Sequence, residues 1–212
     1  MQIPAPIDPH NSGYAPLTHT PVHGALVLDD KLSIMRGRVH ELTGQGRDVL
    51  ALALCACSSG TLVWIGTRRE VDALAPTGLR EFVDPSRFIL VVGSHRREIL
   101  WAAEQALRTR GVACVTFQLS EGPDLTESRR LQIAAESSGA TGLILLSGQA
   151  QVSAAQTRWQ CEPVCDGQTE WVWRCEKNKR GRLGRWKVRR QGGANGWSPK
   201  AGFVHLDAAP SA

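Results

Sequence analysis

Through the middle of the chain, short unbroken apolar runs alternate with stretches whose apolar residues recur every three or four positions. The runs at 39–42, 61–65, 88–92, 113–119 and 142–146 predict strands. The intervening periodicity predicts helices near 48–56, 96–110 and 126–138. In the second of these, Ile99, Ala102, Ala103, Ala106 and Leu107 make the apolar stripe, and Glu104 and Arg108 form an i,i+4 ion pair. Asp124 with Glu127 three residues later predicts a capping box, and Gly139 a helix stop. Strands that are continuously apolar and separated by helices predict an α/β domain with a mostly parallel central sheet, flanked on both faces by helices.

After Leu146 the period falls to two. Thr157, Trp159 and Cys161 share one strand face, then Thr169, Trp171, Trp173 and Cys175, then Trp186 and Val188. Arg158 and Gln160, then Glu170, Arg174 and Glu176, then Arg185, Lys187 and Arg189 point the other way. This predicts a C-terminal antiparallel extension whose aromatic face packs on the core, with a basic loop, 177–184, joining its second and third strands. The expected organisation is a flexible Pro-rich arm over 1–25, one domain over 26–190 with a basic hairpin at 168–190, and a loosely structured tail over 191–212.

Composition narrows the classes. Apolar residues make up 42% of 212, ordinary for a globular chain, and no apolar run reaches the 18 residues that a membrane-spanning helix needs. The first 25 residues hold five prolines and no Lys or Arg, unlike a secretory leader, so a cytoplasmic location is expected. Of the six cysteines, Cys55, Cys57 and Cys114 stand apart from Cys161, Cys165 and Cys175. The latter three make zinc conceivable, but the next histidine, His205, has the wrong spacing; buried apolar thiols are the favoured reading, with no metal. Charge is segregated. From Glu176 to Arg190 eight Lys or Arg stand against one acid, a local +7 within a chain of net +5. A charge run is ordinarily a solvated face, but this density favours an anionic partner, DNA or an acidic protein surface.

One stretch has the layout of a phosphate site. Residues 39–48 read as strand, glycine turn and helix start, where exposed amides and the helix dipole attract anions. A working phosphate loop reads G-x-x-x-x-G-K-[ST]. Here Gly44, Gln45 and Gly46 make a shorter turn, Arg47 stands for the Lys and Asp48 for the hydroxyl. His40 and Glu41, just before it, read as a capping or edge pair.

In order and spacing the chain resembles the RecA family: 39–48 at the phosphate loop, 61–65 at the next strand, 142–146 at the metal-binding strand. The family carries a catalytic Glu after the second strand, where this chain has Gly66-Thr67-Arg68-Arg69, and an Asp after the fifth, where it has Ser147. The resemblance therefore implies a RecA-like fold without catalytic residues, residual nucleotide binding aside, and no cofactor. Lys177-Asn178-Lys179 matches a tripeptide whose lysines, in RecA-type proteins, reach the nucleotide of the next subunit.

More narrowly, the chain is similar to the ImuA family, RecA-like proteins that include relatives of the division inhibitor SulA. The similarity is carried by 37–42, 100–107, Leu125-Thr126, 128–132, 140–143 and Thr157-Arg158-Trp159. It implies a non-catalytic adaptor in DNA-damage-induced mutagenesis, the translesion synthesis of the SOS response. The implied partners are RecA and a polymerase-like member of the mutagenic complex. Trp101, off its helix stripe, is either an anchor for such a partner or packing beneath a loop. Lys177, Lys179, Arg180, Arg182, Arg185, Lys187, Arg189 and Arg190 are the candidate contacts to DNA or partner. Two other readings stand beside this one: a SulA-like inhibitor of division, and a divergent weak ATPase.

Overall fold

The structure, a computed structural model, describes residues 24–29, 32–164, 170–190 and 203–206. The N-terminal arm and most of the tail lie outside these, as do Cys165 and Thr169. Strands β1 (Ala25–Asp29) and β2 (Leu32–Met35) form an antiparallel hairpin. Then follow β3 (Val39–Thr43), α1 (Arg47–Ala56), β4 (Thr61–Gly66), α2 (Arg68–Asp72), α3 (Pro76–Arg80) and β5 (Phe88–Val92). The chain continues with α4 (Arg96–Arg108), β6 (Val112–Leu119), α5 (Leu125–Ser138), β7 (Thr141–Leu146) and β8 (Thr157–Pro163). It closes with β9 (Glu170–Asn178), β10 (Gly184–Arg190) and β11 (Phe203–Leu206).

Among the described residues nine strands form one sheet, ordered β11-β10-β9-β8-β3-β7-β6-β4-β5. Pairing is parallel from β8 to β5 and antiparallel from β8 to β11. The fold is thus α/β with a mostly parallel central sheet and antiparallel strands at the C-terminal end. β8, expected as the first strand of the antiparallel extension, pairs antiparallel with β9 on one side and in parallel with β3 on the other, His40 facing Thr157. The extension is therefore continuous with the main sheet.

Alternation along the central strands feeds two cores, because successive side chains point to opposite faces. Val63, Ile65, Phe117, Ile144 and Leu146 meet Ile99, Ala103 and Leu107 of α4 and Leu131, Ala134 and Ala135 of α5. On the other face, Leu62, Trp64, Leu143 and Leu145 meet α1. That core runs on through Trp159, Trp171, Trp173 and Trp186 to Leu26, Leu32 and Ile34 of the hairpin, which covers the aromatic face. α5 carries the expected Asp124–Glu127 box and stops at Gly139, φ +80°.

Coverage on both faces fails at one edge. In β5, Ile89, Leu90 and Val92 are 53%, 47% and 47% exposed, although their run is as apolar as those of the central strands. Position at the sheet edge decides this, since β4 is the only neighbour of β5 among the described strands.

Candidate interaction surfaces and a closed glycine loop

The turn between β3 and α1 is built from Gly44, Gln45 and Gly46, and both glycines are required by close packing. Gly44 adopts φ +85°, and a Cβ there would lie 2.3 Å from the Cys161 carbonyl oxygen. A Cβ on Gly46 would lie 2.9 Å from the Trp171 ring. The loop thus presses on β8 and β9. The Gly46 N–H donates to the Cys161 carbonyl at 2.8 Å, and the Arg47 guanidinium folds back onto the Gly44 carbonyl at 2.9 Å. Asp48 sits in the first turn of α1, where burial pushes its carboxyl pKa up and the nearby Glu70 adds to that shift.

Glu70 is an acid beside this loop that the sequence reading passed over, two residues beyond Arg68. Its carboxylate accepts from the Thr67 N–H at 2.7 Å and the Thr67 hydroxyl at 2.8 Å, capping α2. Its S/T-x-x-E spacing was the signal that could have marked it. Ser147, after β7, is exposed, and its N–H donates to the Leu119 carbonyl.

His40 and Glu41 are fully buried and structural in their contacts. His40 Nε2 lies 2.8 Å from the Met35 carbonyl, which can only accept, so that nitrogen carries the proton. Nδ1 then accepts from the Thr157 hydroxyl at 2.7 Å, and that hydroxyl accepts from Trp159 Nε1 at 2.8 Å. Burial holds His40 neutral, lowering its pKa to about 4. Glu41 accepts from Ser153 and, at 2.7 Å, from Arg158 Nε.

The eight cations of the basic segment divide by occupation. Lys177 and Lys179 donate to the carbonyls of Ser153 at 2.7 Å and Ala154 at 2.6 Å. Lys187 and Arg189 both pair with Glu170. Arg190 pairs with Glu81 and lies over Phe82, 4.7 Å from the ring centre. Arg180 and Arg182 stand exposed at the hairpin tip with no ion pair among the described residues. Arg185 faces Arg174 across the β9–β10 ladder. Arg174, exposed and outside the predicted set, joins the surface only through this register.

Trp101 is 64% exposed on α4. It lines a groove of about 630 Å³ between α4 and α5, with Leu100 and Leu131 at its floor and Arg97 and Arg130 beside it. The thiols of Cys55, Cys114, Cys161 and Cys175 are buried, and burial raises those of Cys161 and Cys175. No described helix is long and apolar enough to cross a membrane.

No family model matches the chain. Similarity to curated proteins is specific, however. Protein ImuA of Caulobacter vibrioides, from strain NA1000 / CB15N and from strain ATCC 19089 / CIP 103742 / CB 15, is 30% identical over 195 residues. The match covers 77% of this chain and 79% of each relative. At that identity and coverage, the chain belongs to the ImuA family.

Proposed function

We propose that this protein is a non-catalytic, RecA-like adaptor in DNA-damage-induced mutagenesis, acting in translesion synthesis with RecA and a polymerase-like partner in the cytoplasm. Membership of the ImuA family supports the process. The observation that carries the non-catalytic part is the closed glycine loop. A phosphate cradle needs amides pointing into open space at a helix N-terminus. Here the Gly46 amide is spent on Cys161, the Arg47 side chain on Gly44, and Asp48 puts a carboxyl where a phosphate would approach. The nearby acid, Glu70, is engaged in capping α2.

Two measurements test this. Purified protein is expected to turn over ATP no faster than a heat-killed control; turnover above it that is abolished by Arg47→Ala would overturn the non-catalytic reading. Deleting the gene is expected to lower the frequency of damage-induced mutations, restored by the wild-type chain. Unchanged mutation frequency together with filamentation on overexpression would instead favour a division inhibitor.

DNA contact through the basic sheet end is a second element of the proposal, and Arg180 and Arg182, exposed at the hairpin tip with no ion pair among the described residues, favour it as groups that backbone phosphates would take up.

A further inference from the structure

The groove between α4 and α5 combines an apolar floor with an unbalanced rim. Trp101 projects from α4 with 64% of its surface in solvent, over Leu100 and the buried Leu131. Its three carboxylates are already satisfied. Glu98 accepts from the Ser94 N–H at 2.7 Å and lies 3.5 Å from His95. Glu104, nearly buried, takes Arg108 at 2.9 Å and Arg130 at 2.6 Å, and Glu127 takes Arg96 at 2.8 Å. The cations are not matched in the same way. Arg97 is exposed with no ion pair among the described residues, and the Arg130 side chain remains 63% exposed with donors to spare. A large aromatic beside outward guanidinium groups is the composition of a protein-binding hot spot.

We propose that this groove docks an acidic protein segment, which seats one bulky apolar side chain against Trp101, Leu100 and Leu131 and lays carboxylates on Arg97 and Arg130. The proposal rests on reading Trp101 as a partner contact and adds the partner's chemistry. Charge complementarity selects this occupant. The segments of this chain outside the described residues do not supply it: 1–23 hold a single carboxylate, Asp8, 30–31 set Asp30 beside Lys31, 165–169 hold only Asp166, and 191–202 with 207–212 set Asp207 against Lys200. A second copy, at net +5, brings repulsion rather than acid.

The test is a selection of random 16-residue displayed peptides on the full chain, followed by fluorescence anisotropy with the enriched peptides. Enrichment in Asp and Glu around a Leu, Phe or Trp anchor is expected. Trp101→Ala should weaken the selected binders tenfold or more, and Arg97→Glu should weaken them and reduce their salt dependence. Peptides without acidic bias overturn the proposal, as do binders indifferent to both substitutions. Displacement by a peptide of residues 1–23, or equally well by an oligothymidylate, overturns it too. The same variants in damaged cells separate this from the wider reading. Lost peptide binding with a wild-type mutation frequency keeps the groove and takes it out of mutagenesis, leaving the wider reading to the gene deletion. A lowered mutation frequency with unchanged peptide selection removes the groove and keeps the mutagenesis role.

Discussion

At the scale of single residues, buried polar atoms and tight glycines hold the strands around the closed loop in register. His40 joins β2, β3 and β8 through Met35 and Thr157, and does so only as the neutral ring. Its pKa, lowered from 6.5 to about 4, makes the folded state resist protonation. Stability is therefore unaffected by this group above pH 6.5, falls as pH drops below that, and the loss is complete near pH 4. Its size is about 3 kcal/mol. NMR titration of the His40 ring should give a midpoint near 4; a midpoint near 6.5 would mean the ring is solvated. Gly44 offers a second test. Gly44→Ala combines a left-handed backbone with a collision at the Cys161 carbonyl, whereas a Cβ on Gly111, φ +88°, meets nothing within 4 Å. Urea unfolding should show Gly111→Ala costing ~1–2 kcal/mol and Gly44→Ala ~2–4 kcal/mol. Equal costs would mean that the loop does not press on β8.

At the scale of elements, the β1–β2 hairpin and the sheet edges matter most. The indoles of Trp159 and Trp186 lie 5.3 Å apart at their centroids, in the core that Leu32 and Ile34 close. Ile34→Ala should cost ~2–4 kcal/mol. Denaturant unfolding followed by tryptophan fluorescence reads this directly, and a change under 1 kcal/mol would show that the hairpin does not seal the aromatic core. The hairpin's Leu-x-Ile alternation is in the sequence, but strands of five and four residues beside a Pro-rich arm carry too weak a periodic signal to be told from the arm. β8 illustrates a different limit: its inward and outward faces follow from period two, while its direction relative to β3 depends on a partner 117 residues away in sequence.

At the scale of the whole molecule, the antiparallel end of the sheet carries the basic surface, and the parallel end carries the Trp101 groove and exposed β5. If the basic surface contacts DNA, the cations should not contribute equally. Arg182→Ala or Arg174→Ala should each lower the slope of log K against log salt by about 1, because their counterions are released only on binding phosphate. Lys177→Ala should leave the slope nearly unchanged, since its ammonium already serves the Ser153 carbonyl. Anisotropy of a labelled single strand between 50 and 200 mM salt checks this (~50 and ~200 mM spanning the range in which such contacts are lost). Equal slopes for all three variants would show that net charge, rather than placement, governs binding.

Local patterns determined the α/β class, the five apolar strands and the three longer helices between them, the capped start and glycine stop of α5, and the inward tryptophans of the last strands. Each is set by periodicity or by contacts within a few residues. The place of Trp101 off its helical stripe was legible in the same way, but whether it faced solvent or packed beneath a loop was left to the tertiary structure, which leaves it exposed. Tertiary structure alone decided that β5 lies at an edge, that β8 runs parallel to β3, and that Arg174 stands opposite Arg185. It also decided that the glycine turn is sealed by Cys161 and Trp171. These depend on which distant segments become neighbours, and a strand's side-chain pattern records which face is buried but not what lies beside it.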